Sequence, residues 1–109
     1  VGELLDFLDE EELASDTLVV FLADNGWIQR TDAPRFAPRS KRSPYDGGLR
    51  TPIVLRRPGA IRPGRSEALA SSLDLLPTVL AICGIPTPTG LPGLDLLDAE
   101  AVAARKQIF

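Results

Sequence analysis

Asp24 and Asn25 stand at the end of an apolar run, in the stretch TLVVFLADNGW. A carboxylate and a side-chain amide carbonyl side by side are hard oxygen ligands, suited to a divalent cation such as calcium or magnesium. Gly26 follows them, and Asn-Gly is also an ordinary turn signal that requires no ligand. Two oxygen ligands are too few to hold a metal ion, so a metal site at this position requires further ligands elsewhere.

A basic segment follows these candidate ligands. Residues 28–50 carry six bases against two acids, namely Arg30, Arg35, Arg39, Lys41, Arg42 and Arg50 against Asp32 and Asp46. Any one of these bases could belong to a solvated loop, but together they predict an anion-attracting rim directly after the candidate ligands. A bound cation beside a cluster of Lys and Arg would suit a sulfate or phosphate ester.

The apolar run predicts the element that positions the candidate ligands. Six of the seven residues 17–23 are apolar and three are β-branched, which predicts a fully buried strand. Residues 51–56 predict a second strand. Strands between helices indicate an α/β fold, and open α/β sheets bind ligands outside the carboxyl ends of their strands. The polar, proline-dotted segment 26–50 is unusually long for an internal loop, which favours a functional role.

Three helices are predicted around these strands. An amphipathic helix runs from Val1 to about Leu13, and a short helix covers residues 98–105. Between them, Asp74 is a predicted helix N-cap, with Pro77 in the first turn. The apolar stripe predicted to be buried on that helix consists of Leu76, Val79, Leu80 and Cys83. Residues 107–109 are predicted to begin a further strand.

The composition limits the class of protein. A chain of 109 residues, 44% hydrophobic and 25% charged, is that of one ordinary globular domain. The sequence shows no apolar run of membrane-spanning length, and a net charge of −3 argues against general nucleic-acid affinity. The single Cys83 excludes an internal disulfide. Because the chain begins within a helical pattern, without Met, and stops as a strand begins, we expect it to be part of a larger domain.

Several segments together resemble the sulfatase family. They are TLVVFLADNG, SKRSPYDGGLRTPIVLRRPG, SSLDLLPTVLAICGIPTP and GLPGLDLL, which occur in the order and spacing of those enzymes. The most specific is K-x-S-x-Y-D-G-G-x-R-x-P, which begins at Lys41, after a strand that ends in DNG. Sulfatases are calcium-dependent sulfuric ester hydrolases of the alkaline-phosphatase-like α/β superfamily. The resemblance therefore implies that residues 1–109 form part of a sulfatase catalytic domain, with an alkaline-phosphatase-like sheet that is incomplete in this chain.

The resemblance also assigns roles to individual residues. Asp24 and Asn25 match the family's metal ligands, here for calcium. Lys41 matches the family's sulfate-contacting lysine, which makes it both a catalytic and a substrate-binding candidate. Arg39 and Arg42 flank this lysine as candidate contacts for a larger anionic substrate, although no family motif assigns them that role.

The family's nucleophile has no counterpart in this sequence. That nucleophile is a formylglycine made from Cys or Ser within C-x-P-x-R, whereas Cys83 lies in CGIPT, and the chain contains no His. We therefore expect the chain alone to be inactive and to bind calcium weakly, with the rest of the catalytic domain as its partner. Exposed apolar surface at an open sheet edge is expected to favour self-association. Two alternatives stay open: a phosphate or phosphonate monoester hydrolase of the same superfamily, and a non-enzymatic anion- or metal-binding module.

Overall fold

The computed structural model describes residues 1–108. Two strands, β1 (Val19–Leu22) and β2 (Ile53–Arg56), pair in a two-stranded sheet. Four α-helices accompany them in the described part of the chain: α1 (Gly2–Glu10), α2 (Asp46–Leu49), α3 (Leu75–Ile82) and α4 (Ala99–Ala104). Single 3-10 turns cover Ala14–Asp16 and Ser72–Asp74. Residues 19–55 form one compact unit, and residues 1–18 with 56–108 form the other.

Both predicted strands are present, but β1 is not buried as predicted. Val19 and Val20 are half-buried, whereas the side chains of Phe21 and Leu22 are 46% and 39% exposed. The prediction is wrong because a buried strand needs a second layer over each face of its sheet, and a sheet of two strands among the described residues lacks that cover. β2 starts at Ile53 rather than residue 51, because Pro52 has no N–H to donate to the ladder.

Helix α1 is amphipathic as predicted, and it ends earlier than Leu13. Glu12 adopts a left-handed backbone conformation with φ of +57°, a common way for a helix to end. Among the described residues, Leu8 is the one large apolar residue that is buried, with 7% of its surface exposed. Leu4 and Phe7 are about half exposed. The acidic face is anchored by Arg56, whose guanidinium lies 3.0 Å from the carboxylate of Asp9.

The prediction of a buried apolar stripe on α3 is wrong. Leu76 is 53% exposed, Cys83 is exposed just after the helix, and the buried residues are instead Pro77 and Thr78. The Thr78 hydroxyl donates to the Asp74 carbonyl oxygen at 2.6 Å and accepts from the Leu96 N–H at 2.9 Å. These bonds bring residues 94–96 over this face of α3, so a polar side chain decides which face is covered.

Asp74 occupies the predicted N-cap position of α3, but its carboxylate makes no capping hydrogen bond to that helix. It instead completes the capping box of the 3-10 turn at Ser72–Asp74. The side chain is completely buried. It accepts hydrogen bonds from the N–H groups of Ser71 and Leu94, at 2.7 and 2.8 Å, and from two guanidinium nitrogens of Arg105, both at 2.6 Å. Asp74 therefore ties together the start of α3, the loop before α4 and the residue that ends α4.

The predicted short helix is confirmed as α4. Asp98 caps it, because its carboxylate accepts from the N–H groups of Glu100 and Ala101. Gln107 and Ile108, predicted to start a strand, are not in one; Phe109 lies outside the described residues. Within residues 1–108, no helix combines the length and the apolar character needed to cross a membrane.

Replacing Asp74 by alanine is expected to destabilise the protein by about 3 kcal/mol, because Arg105 would keep a nearly buried charge without its partner. Urea unfolding at neutral pH measures this loss. Asp16→Ala is the control, because its ion pair with Arg57 at 3.5 Å is exposed and is expected to contribute little. Equal stability of the Asp74→Ala variant and the unchanged protein would contradict the role given to this pair.

The stabilisation from Asp74 is expected to depend on pH. Burial raises the pKa of Asp74, but hydrogen bonds from Arg105, Leu94 and Ser71 and the charge of Arg105 outweigh burial and leave the pKa below its ordinary value of 3.8. The contribution is therefore fully present above pH 3.8 and is lost as the pH falls through the lower, folded-state pKa. Urea unfolding as a function of pH should show the difference between the unchanged protein and Asp74→Ala shrinking in that range.

Candidate functional site

The two candidate metal ligands directly follow β1. Asp24 is exposed, and its carboxylate makes no hydrogen bond or ion pair with any of residues 1–108. Asn25 is half-buried, and its amide nitrogen donates to the Gly26 carbonyl oxygen at 2.8 Å. That bond uses the nitrogen of the amide and leaves its oxygen as the atom that could contact a cation. Both donors are hard oxygens, the type that calcium binds.

Helix α2 connects the candidate ligands to the basic segment. The sequence predicts a basic loop here, and the structure forms a one-turn helix within it at residues 46–49. The buried Gly26 donates its N–H to the carbonyl oxygen of the buried Gly48 at 2.9 Å. A Cβ atom on Gly48 would overlap the carbonyl oxygens of Ser40 and Ser43. The backbones of the Asn25 turn and of the Lys41 loop therefore both pack against α2.

Ser40 is the site residue that sequence reasoning missed. Its side chain is completely buried, and its hydroxyl oxygen accepts from the Ile28 N–H at 2.6 Å. Its carbonyl oxygen accepts from both the N–H and the hydroxyl of Ser43, at 3.1 and 2.7 Å. These bonds fix the backbone on both sides of Lys41. Serines at positions i and i+3 around a lysine indicate a turn held by hydroxyl groups, which was the available signal.

Lys41 lies on this fixed turn. The residue is half-buried, and none of the described residues places a carboxylate within ion-pair distance of its ammonium. Its ammonium group contacts an aromatic ring: Nζ lies 5.7 Å from the centroid of the Trp27 ring. An uncompensated, partly buried ammonium attracts an anion more strongly than a paired one, which suits the predicted role of Lys41.

Arg39 and Arg42 lie on either side of Ser40 and Lys41 in the chain, and both have an unusual backbone conformation. Both residues have left-handed conformations, with φ of +59° and +65°, which are uncommon outside glycine and cost free energy. Both are exposed. The Arg39 guanidinium carbon lies 4.8 Å above the centroid of the Tyr45 ring. Two exposed cations are thus held at one turn, on either side of Lys41.

The structure therefore brings some of the predicted site residues together and leaves others without partners. The Asn25 turn and the Lys41 loop are joined through the bond between Gly26 and Gly48 and the contact between Trp27 and Lys41. Residues 1–108 contain no cluster of three or more His, Cys, Asp or Glu side chains that could hold a metal ion. Asp24 and Asn25 offer two hard oxygen donors, and their assignment as calcium ligands stays a prediction.

Gly48→Ala is expected to destabilise the protein by about 2 kcal/mol, because the new methyl group would overlap two backbone oxygens that cannot move independently of the Lys41 loop. Gly64→Ala is the matched control, since a Cβ atom there meets no other atom within 4 Å. Urea unfolding of both variants measures the difference. Equal stability of the two variants would contradict the close packing of α2 against this loop.

Comparisons with known proteins concern the family and the fold of this chain. The sequence profile of the family named Sulfatase matches residues 1–85. Human arylsulfatase A is 42% identical over 101 residues, an alignment that covers 88% of this chain and 20% of that enzyme. The chain thus spans about a fifth of the length of this curated relative.

Two solved structures resemble the chain in fold as well as sequence. One is described as "Metabolism of multiple glycosaminoglycans by bacteroides thetaiotaomicron is orchestrated by a versatile core genetic locus (BT33494S-sulf)"; it has a TM-score of 0.70 and 31% identity, over 98% of this chain and 22% of its own. The other, described as BT4656 in complex with its substrate D-glucosamine-2-N,6-O-disulfate, has a TM-score of 0.62 and 27% identity, over 87% of this chain and 19% of its own. These likenesses confirm the alkaline-phosphatase-like α/β fold class. The chain belongs to the sulfatase family.

Proposed function

We propose that this chain is one part of the catalytic domain of a sulfuric ester hydrolase. In this proposal Asp24 and Asn25 supply two ligands to a calcium ion, and Lys41 binds the sulfate group. One observation carries the proposal above all. The Lys41 ammonium has no carboxylate partner among the described residues. The loop that carries it packs against α2, as does the turn that carries the exposed Asp24 carboxylate and the half-buried Asn25 amide. Family membership supports it, because relatives named as sulfatases match most of the chain.

The metal part of the proposal rests on the chemistry of the donors. The Asp24 carboxylate is free of partners among residues 1–108. The Asn25 amide nitrogen donates to the Gly26 carbonyl oxygen, which leaves the amide oxygen available to a cation. When bound, a calcium ion would supply positive charge near the sulfate oxygens. Calcium takes six to eight oxygen ligands, so two from this chain leave about four or more to the rest of the domain and to water. Weak calcium binding by the chain alone follows from that shortfall.

In this proposal Lys41 contributes electrostatic stabilisation of the transition state. Negative charge on the sulfate group shifts between its oxygens and the leaving oxygen as the S–O ester bond breaks. An ammonium already held beside these atoms stabilises that charge without first having to reorganise. The buried Ser40 hydroxyl and the Ser43 bonds fix the backbone that carries Lys41, so part of the cost of positioning it is met during folding.

Arg39 and Arg42 are proposed to contact further anionic groups of the substrate. They are exposed at the turn that carries Lys41, and they have left-handed backbones that glycine would adopt at lower cost. A substrate with several sulfate groups, such as a sulfated sugar, would match several cations on one turn. The disulfated glucosamine named for one structural neighbour belongs to that class of molecule.

The test compares two esters that differ only in the group that is hydrolysed. The complete protein, meaning the whole catalytic domain of which this chain is proposed to be a part, is expected to hydrolyse 4-nitrophenyl sulfate faster than 4-nitrophenyl phosphate. Faster turnover of the phosphate would favour the phosphate or phosphonate hydrolase alternative. No turnover of either ester, or of sulfated sugars, would favour the non-enzymatic binding module. Residues 1–109 alone are expected to turn over neither ester.

A further inference from the structure

We propose that Trp27 is the positioning residue of Lys41: its indole ring holds the ammonium in place by a cation–π contact. This inference rests on the proposed function, because it concerns the lysine assigned to the sulfate. The contact itself is direct, since Nζ of Lys41 lies 5.7 Å from the ring centroid, within the range in which the negative ring face attracts a cation.

Trp27 is exposed among the described residues, and two contacts besides the one to Lys41 hold its ring. The side chain is 51% exposed, so burial does not explain its position. The edge of the ring meets Phe36 at a centroid distance of 5.5 Å and an angle of 69° between the ring planes. The indole N–H donates to the Gln29 side-chain oxygen at 3.2 Å. Two contacts thus fix an exposed aromatic ring beneath an ammonium group.

An aromatic ring has an advantage over a carboxylate as the partner of a sulfate-binding lysine. A carboxylate would neutralise the ammonium and would compete with the anionic substrate for its three N–H donors. The ring attracts the cation through its quadrupole and carries no net charge. Lys41 can therefore be oriented while its charge stays available, which agrees with the absence of any carboxylate partner for it among residues 1–108.

The inference is tested with the complete protein and 4-nitrophenyl sulfate. Trp27→Leu is expected to lower kcat by about two- to fivefold, the size of an exposed cation–π contact, with a smaller loss for Trp27→Phe. Phe36→Leu is the structural control: it loosens the Trp27 ring but leaves the indole and its hydrogen bond to Gln29, so a smaller loss of kcat than for Trp27→Leu is expected. A purely structural role for Trp27 would make the two leucine variants equal in kcat, which would overturn the inference.

A second measurement keeps the test valid if Trp27→Leu fails to fold. Fluorinated tryptophans introduced at position 27 keep the size of the ring while weakening its negative face. The expected result is a kcat that falls stepwise with each added fluorine in the presence of Lys41 and no longer depends on fluorine in the Lys41→Ala background. A flat series while Lys41→Ala abolishes turnover would overturn this inference alone. Full turnover by Lys41→Ala would instead overturn the proposed function.

Discussion

Replacing Lys41 by alanine in the complete protein is expected to lower kcat on a sulfate ester by about two to three powers of ten. The reason is that one preorganised charge acts on the atoms whose charge changes during the reaction. The turn that carries the lysine is fixed by Ser40, whose hydroxyl accepts from Ile28. A water molecule that fills the space left by the side chain would have no such fixed orientation. Steady-state kinetics on 4-nitrophenyl sulfate measure the loss.

The control for Lys41 is the neighbouring cation Arg42. Arg42→Gly removes the same unit of charge from the same turn, and glycine suits the left-handed backbone at that position. We expect kcat on the small ester to fall far less than for Lys41→Ala, with a raised KM only for substrates that carry additional anionic groups. Equal losses of kcat in the two variants would mean that general positive charge, rather than a contact made by Lys41, accounts for the effect.

Asp24→Ala is expected to abolish most turnover by a different route, because it removes a charged ligand from the proposed calcium site. Calcium affinity of the complete protein should fall by more than about tenfold, since even residues that only support a metal ligand cost about 10- to 100-fold when they are lost. Calcium titration by calorimetry measures the change. Unlike the loss caused by Lys41→Ala, the loss of turnover should be partly restored by excess calcium.

The matched control for Asp24 is Asp32, an acid of the same segment that is already paired with Arg30. Because its carboxylate accepts from that guanidinium, Asp32→Ala should leave calcium affinity unchanged. A calcium affinity that falls equally in both variants would indicate a diffuse effect of negative charge and would contradict the assignment of Asp24 as a ligand.

Local patterns predicted both strands and the helices α1, α3 and α4, but they missed α2 and did not predict what covers these elements. The β-branched run before Asp24 indicates a strand, and β1 is there. Whether Phe21 and Leu22 are buried depends on further layers, and periodicity carries no information about these. On α3, the hydroxyl of Thr78 binds Leu96, 18 residues away. That bond decided which face of the helix is covered, and no pattern within α3 itself contains it.

The candidate site shows the same division between local and distant causes. Asp24 and Asn25 could be proposed from residue type and position after a strand, and Lys41 from the resemblance to the sulfatase motif. The two serines around Lys41 signal a local turn, but not the buried Ser40 hydroxyl that accepts a hydrogen bond from Ile28, 12 residues earlier in the chain. The cation–π pairs of Lys41 with Trp27 and of Arg39 with Tyr45 likewise require the folded loop. The assignment of Asp24, Asn25 and Lys41 as functional residues stays a prediction.

The most direct test of the proposed site is the calcium dependence of sulfate ester turnover in the complete protein, measured in parallel for the unchanged protein, Asp24→Ala and Lys41→Ala. The predicted result is that turnover by Asp24→Ala is low at limiting calcium and recovers in part as calcium rises. Turnover by Lys41→Ala should stay low at every calcium concentration. Near-normal turnover by both variants at limiting calcium would contradict the assignment of these residues to the site.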